Sequence, residues 1–448
     1  MDFVSALIDQ GCETVYPVNP NAAEIHGLPA FPDLTAIPGP VDHVISSIPA
    51  HRVEAMLEDA GAKGVRSIHF FTAGFAETGD SERRALQDRI VRRARELRIR
   101  LIGPNCMGLY VPGSGLAFAA GCPKEPGPVA FWAQSGTNAN AAVFDGAARG
   151  LRFSKVVSFG NAVDVNAVEL CRYAAVDPDT KFVGAYIEGL PDARDLFQAL
   201  RELAARKPVV LLKGGMTQAG ARSARSHTAS LAGSGAIWRA AAAQANVVLA
   251  DNMQQSIDTL VGWRFQAVPR GNRVGLVVGG GGLSVQGADD IAALGLSLPD
   301  LTPSTADVLR KITPLEGTSI RNPIDTQALW RGAELAASLE AVAADDNLDA
   351  LIVQVSMGWG GSGDPENARK SQDKLVQELE AAAPRLRQIG KPVALVAPGS
   401  YNPFNAELSA RLVAQVTAAG YPAFATVADA ARTLQRLNTW RMRRDARA

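Results

Sequence analysis

The sequence predicts an α/β protein built from doubly wound, mainly parallel sheets. Three observations carry that expectation. Short β-branched runs alternate with Ala/Leu/Arg-rich stretches of helical spacing along the whole chain. The apolar runs are short, as expected for strands buried on both faces of a parallel sheet. The chain holds 42 glycines but only 6% aromatic residues, which suits many βα turns and not an all-β fold.

In chain order, the strand candidates are Glu13–Val18, His43–Ile48, Val129–Trp132, Phe182–Ile187, Val209–Lys213, Val274–Val278, Ala350–Val355 and Val393–Val396. Helical stretches between them include Ser81–Leu97, Ala193–Ala205 and Glu366–Ala383. Strands alternating with helices imply βαβ units. The chain opens inside an amphipathic helix, with Phe3, Ala6 and Leu7 on one face. A doubly wound domain ordinarily places a strand and a phosphate-binding turn before its first helix. The first domain is therefore expected to start at that helix, without the strand.

At about 150 residues per domain, 448 residues suggest three domains. Pro/Gly-rich turns at 123–128 and 268–272 each lead into a strand, which places the domains at 1–125, 126–268 and 269–448. Lys plus Arg equals Asp plus Glu, 45 each. That balance argues against nucleic-acid binding, which needs a basic footprint. The cysteines Cys12, Cys106, Cys122 and Cys171 have no C-x-x-C spacing, so neither a zinc site nor a redox dithiol is expected. No apolar run is long enough to span a bilayer, and the start has no secretory pattern. The expectation is a cytoplasmic protein with no membrane partner. His26, His43, His51 and His69 have no ligand-spaced companions and read as structural or surface residues.

Three segments carry chemistry. Ala221–Gly233 places His227 among small hydroxylated residues after the strand Val209–Lys213. Imidazole is a competent nucleophile toward phosphoryl groups, although the loop alone also suits a solvated histidine. Ser135, Gly136 and Thr137 turn the strand Val129–Trp132 into a helix whose first N–H groups form an anion cradle. Gly279, Gly280, Gly281 and Gly282 repeat that design in the third domain, although any tight βα turn also needs glycine. Together the two cradles and the histidine suggest one phosphorylated residue clamped between helix N-termini. Glu188 ends the strand Phe182–Ile187 and is placed either to hold an imidazole or to cap a turn. The Pro/Gly-containing loops at 15–20, 46–51 and 103–108 share one sheet edge, as a nucleotide or pantetheine groove or as plain connections.

Taken in order, Val-Tyr-Pro-Val-Asn-Pro with Gly-Pro-Asn-Cys, then Gln-Ser-Gly-Thr, then Ser-His-Thr-Ala-Ser-Leu-Ala-Gly give the chain a family resemblance. It resembles the α subunit of NDP-forming acyl-CoA synthetases, especially ADP-forming acetate–CoA ligase, and more distantly that of succinyl-CoA synthetase. The resemblance runs from about residue 10 to about residue 440. It implies a Rossmann-like CoA-binding domain followed by two flavodoxin-like, succinyl-CoA-synthetase-type domains. By match, His227 is the phosphohistidine and Glu188 the carboxylate that holds it. Ser135, Gly136 and Thr137 form one phosphate site; Gly280, Gly281 and Gly282 form the other. Pro17, Asn19, Ile48, Pro49, Asn105 and Cys106 match the CoA-binding edge, and Asn140 and Gly279 fall beside the substrate.

The implied reaction interconverts a small carboxylic acid, CoA and ATP with acyl-CoA, ADP and phosphate. It passes through an acyl phosphate and phosphorylated His227, with Mg²⁺ accompanying the nucleotide. No segment resembles the ATP-grasp domain that binds nucleotide in the family. The resemblance therefore implies a separate ATP-grasp β subunit and a hetero-oligomer. Gly279 stands where the family usually has Asn, Ala229 replaces a frequent Gly, and Asn21 lies near a frequent Lys. These departures and the helical start motivate an alternative, a catalytically incomplete CoA- or acyl-CoA-binding regulatory protein. A dinucleotide-dependent oxidoreductase is disfavoured, because no strand–G-x-G-x-x-G–acid unit exists.

Overall fold

The computed structural model describes residues 2–189, 192–220, 222, 235–312, 319–326, 334–355, 364–400 and 402–447. The chain divides into two compact units, Met1–Ala147 with Arg152–Ser256, and Ala148–Leu151 with Ile257–Ala448.

The first unit opens, as expected, with a helix, Phe3–Gln10. Asp2 caps it by accepting from the Ser5 N–H, and Phe3 and Ala6 are buried. The strand expected at Glu13–Val18 does not form; Val18 makes only an isolated parallel bridge to Phe31. Pro17 and Pro20 flank it and cannot donate to a ladder. A two-residue antiparallel pair follows, β1 (Glu24–Ile25) and β2 (Leu28–Pro29). Next comes a parallel sheet of β3 (His43–Ser46), β4 (Ser67–Phe70) and β5 (Arg100–Ile102). Helices Val53–Ala62 and Ser81–Glu96 pack on it through Leu57, Ala60, Ile90 and Ala94.

A six-stranded sheet completes the unit. Its strands are β6 (Gly108–Tyr110), β7 (Val129–Ala133), β8 (Phe153–Ser158), β9 (Phe182–Ile187), β10 (Val209–Lys213) and β11 (Val248–Ala250), in the order β11-β10-β9-β7-β8-β6. Only β6 runs antiparallel. The Pro/Gly-rich turn at 123–128 thus lies inside one unit, because β6 before it pairs with β8 after it.

The second unit holds β12 (Val274–Val278), β13 (Ile324–Asp325), β14 (Ala350–Gln354), β15 (Val393–Val396) and β16 (Ala423–Phe424), all parallel, in the order β13-β12-β14-β15-β16. Every residue of β12 and β15 is buried. Helix Met253–Phe265 joins this unit from Ile257 onward, ahead of the turn at 268. The reason is packing: Trp263 meets Trp440 edge-on at 5.7 Å, and buried Asp258 pairs with Arg149 at 2.6 Å. Helix Pro365–Ile389 extends past the end expected at Ala383. Pro384 sits inside it on the exposed face, while Leu379, Ala382, Ala383 and Leu386 bury the other face on both sides of it. That apolar stripe outweighs the lost hydrogen bond.

In both larger sheets the winding reverses beside the first parallel strand. β7 lies between β8 and β9, and β12 lies between β13 and β14. Such switch points, at the carboxyl ends of the strands, are where open α/β sheets bind ligands. Among the described residues no helix is long and apolar enough to cross a membrane.

The small parallel sheet carries a buried imidazole pair. His69 is 1% exposed, with Nε2 3.1 Å from the Cys106 carbonyl oxygen. The His43 ring stacks 6.5 Å away, with Nδ1 2.8 Å from Ser67 Oγ. Burial pulls both pKa values down to about 4 from 6.5. The unfolded chain therefore binds these protons at a higher pH than the folded chain does. Stability is expected to be full above pH 6.5 and to fall as pH drops toward 4. His69 alone contributes on the order of 3 kcal/mol to that loss. Urea midpoints measured across this range should decline more shallowly for His69→Gln; an unchanged slope would assign the titration elsewhere.

Candidate active site

The switch point of the six-stranded sheet gathers Ser135, Gly136, Thr137, Asn140 and Glu188 from among the expected residues. β7 runs into Gln134 and Ser135, and helix Gly136–Ala148 begins there. Ser135 is the N-cap: its Oγ accepts from the Asn138 N–H at 3.3 Å. The N–H groups of Gly136 and Thr137 remain among the orphans of the first turn, at the positive end of the helix dipole. Thr137 is exposed, and Asn140, one turn on, is half-buried. Gly136 is needed because a Cβ there would lie 2.6 Å from Met107 Cγ.

Glu188 stands directly after β9, the neighbour of β7. The N–H groups of Glu188 and Gly189 donate to Gln134 Oε1 at 2.5 and 3.0 Å. Gln134 Nε2 returns a bond to the Gly189 carbonyl at 3.0 Å. The Tyr186 hydroxyl donates to Glu188 Oε1 at 2.9 Å. Lys213, at the end of β10, donates to the Glu188 carbonyl oxygen at 2.5 Å. His227 lies outside the described residues.

The expected CoA-binding residues fall into two groups. Ile48 and Pro49 follow β3, and Asn105 and Cys106 follow β5. Thr72, after β4, joins these loops. Its Oγ1 donates to the Ile48 carbonyl at 2.6 Å, and its own carbonyl accepts from the Asn105 N–H at 3.0 Å. Pro49 is exposed and Asn105 half-buried, but Cys106 is turned inward. It is 4% exposed, its thiol lies 3.5 Å from the Phe70 carbonyl oxygen, and burial pushes its pKa up. What Cys106 offers a ligand is therefore not a reactive thiol. Pro17 and Asn19 are tied instead to Phe31, through Phe31 N to Pro17 O at 2.9 Å and Asn19 N to Phe31 O at 2.8 Å.

The loop after β5 also abuts the second sheet. The Asn161 N–H donates to the Pro104 carbonyl at 3.0 Å, and Arg100 pairs with Asp164 and Glu169 at 2.9 and 2.7 Å. A Cβ on Gly160, φ +46°, would lie 2.2 Å from Pro104 O and 2.4 Å from Asn105 O.

In the second unit, buried Gly279 leads into helix Gly281–Ala292, with Gly280 as an N-cap that lends no side chain. Space is open around Gly280 and Gly282. The Asp325 carboxylate, at the end of β13, lies beside this turn, 3.8 Å from where a Cβ on Gly281 would sit, and burial raises its pKa. The sequence alone did not reveal this internal anion.

A family model described as a CoA binding domain matches residues 3–112, and one described as a succinyl-CoA ligase like flavodoxin domain matches residues 126–261. The α subunit of ADP-forming acetate–CoA ligase II from Pyrococcus furiosus is 35% identical over 338 residues, 75% of this chain and 73% of that one. The chain belongs to the ADP-forming acetate–CoA ligase family. The ADP-forming acetate–CoA ligase of Methanocaldococcus jannaschii is 35% identical over 313 residues, which span 69% of this chain but only 44% of that relative. Among solved structures, the dinucleotide-forming acetyl-coenzyme A synthetase 1 of Candidatus Korarchaeum cryptofilum, in complex with phosphate and ADP, is similar with a TM-score of 0.80. It is 28% identical and covers 99% of this ligase-family chain and 92% of its own. The CoA-binding domain and the flavodoxin-like domain that the resemblance implied are therefore both present.

Sequence reasoning missed Tyr186, Lys213, Thr72 and Asp325, and gave Gln134 no role beyond its place in the Gln-Ser-Gly-Thr motif. A signal existed for Lys213, a charge ending the apolar run Val209–Lys213, and for Tyr186, two residues before Glu188 on the same strand face.

The Gly160 contact should be intolerant of any side chain. Gly160→Ala meets two carbonyl oxygens at a left-handed φ, and is expected to cost about 2–4 kcal/mol. A lowered urea midpoint measures this, and wild-type stability would contradict the geometry.

Proposed function

We propose that this chain is the CoA-binding, histidine-phosphorylated α subunit of an acyl-CoA synthetase. The reading rests on one observation above others. Glu188 and the helix N-terminus at Ser135–Thr137 flank one switch point, and the Met107 loop after Asn105 meets that same helix end. In the direction that makes ATP, phosphate attacks the thioester carbonyl of acyl-CoA and the CoA thiolate leaves, giving an acyl phosphate. A ring nitrogen of His227 then attacks phosphorus and the carboxylate leaves. The phosphoryl group passes finally to ADP. Glu188 holds the imidazole through its other N–H, and the orphan N–H groups of Gly136 and Thr137 take charge from the moving phosphoryl group. Gly280, Gly281 and Gly282 supply the second phosphate site. The CoA edge is built by Pro17, Asn19, Ile48, Pro49, Asn105 and the main chain of Cys106, with Asn140 and Gly279 beside the acyl group.

The domain assignment that goes with this reading is 1–125 for CoA, 126–268 for the phosphohistidine and 269–448 for the second phosphate site. Nucleotide and its Mg²⁺ are held by an ATP-grasp β subunit in a cytoplasmic hetero-oligomer. The substrate is a small carboxylic acid or its acyl-CoA.

A second reading, CoA binding without turnover, is favoured by the Asp325 carboxylate, which lies beside the Gly280–Gly282 turn. One experiment separates the two. The chain, mixed with its β subunit and γ-³²P-ATP, should acquire acid-labile label that His227→Ala abolishes. CoA-dependent stabilisation without label would support the second reading. Under either, saturating CoA should raise stability, by about 2.7 kcal/mol at a hundredfold excess over Kd. No thermal shift with CoA would contradict both.

A further inference from the structure

Glu188 is held by more than its own strand needs. β9 alternates, so Tyr186 and Glu188 share a face, and the phenol donates to Oε1 at 2.9 Å. Oε2 has no partner among the described residues. Lys213 is stranger. It is 5% exposed and has no ion pair among the described residues. Its ammonium donates to the carbonyl oxygens of Glu188 and Gly214 and lies 5.2 Å over the Trp238 ring. A buried ammonium without a paired carboxylate is costly, and an aliphatic residue would complete this buried strand end more cheaply. Burial lowers the Lys213 pKa, while the charge of Glu188 works in the opposite direction. The expense is explained if the cation serves the carboxylate.

We propose that Tyr186 and Lys213 are positioning residues for Glu188. The phenol fixes the carboxylate rotamer and occupies Oε1, leaving Oε2 to accept an imidazole N–H. The ammonium pins the Glu188 main chain through its carbonyl oxygen. This rests on the reading of Glu188 as the carboxylate that orients the phosphorylated histidine. Among the described residues, the titratable groups that face Glu188 are Tyr186 on its own strand and Lys213 on β10; the end of β7 brings only the neutral Gln134.

The test uses the full chain with its β subunit and rapid-quench ³²P labelling from ATP across pH. Tyr186→Phe keeps the ring and its packing. It should slow phosphorylation about 10- to 100-fold with the KM for CoA unchanged, and move the acid limb of the rate profile to higher pH. In a Glu188→Gln background the same change should cost less than about twofold more. Lys213→Met should act in the same direction, and Tyr186→Phe carries the test if that variant does not fold. A slow Glu188→Gln beside a Tyr186→Phe variant of normal rate and acid limb would overturn the positioning role alone. So would a full additional loss in the double variant. Glu188→Gln labelling at the wild-type rate would overturn the role of Glu188 itself, and the positioning role with it.

Discussion

The parallel pairing of β7 with β9 is the interaction from which the candidate site follows. These strands are not consecutive; β8 intervenes in the chain and lies on the other side of β7. Their register runs from Val129 opposite Phe182 to Ala133 opposite Tyr186, and the Gln134 N–H extends it by bonding the Tyr186 carbonyl at 3.1 Å. A helix dipole and a carboxylate, from residues far apart in sequence, are thereby delivered to one edge. A one-residue slip would turn Tyr186 and Glu188 to the opposite face and withdraw Gln134 from the amides it accepts. Burial of every β7 residue makes such a slip prohibitive.

The CoA-binding domain is fastened to that edge by main-chain bonds, not by an apolar seam alone. β6 leaves the first domain to pair with β8, and Arg100 reaches Asp164 and Glu169 beyond it. Half-exposed ion pairs of this kind contribute little individually. The carbonyl and amide groups at 103–105 are different. They are bound from both sides, by Thr72 of one sheet and by Asn161 and Val163 of the other. The loop that meets CoA in the proposed reading is thus held by main-chain hydrogen bonds on both sides.

How far the sequence could be read follows from where polar groups lie. Phe182–Ile187 and Val209–Lys213 were legible to the residue, because an unbroken apolar run has few alternatives to a strand buried on both faces. β4 escaped notice since its centre is His69, a residue that reads as surface until its neighbours are known. Glu13–Val18 misled because β-branched composition spoke louder than its prolines. At the site, Ser135 and Glu188 announced themselves by ending strands. Tyr186 and Lys213 did not, since a tyrosine within an apolar run looks like core and a terminal lysine looks like solvent. The Tyr186 contact with Glu188 rests on which way the strand faces, and that of Lys213 on the β9–β10 pairing. Asp325 was hidden likewise, by a pairing between β12 and β13 that joins segments far apart in the chain.

The close approach of Gly160 to residues 104 and 105 has an evolutionary consequence. Two carbonyls within reach of a missing Cβ leave no slack. An insertion in either loop would lever β6 and β8 apart and disturb the strand ends beside them. Lengthening loops, a route by which α/β proteins acquire new ligands, is disfavoured at these two loops. At this junction, change of ligand preference is left to exchanges of single side chains, and so to small steps in pocket shape.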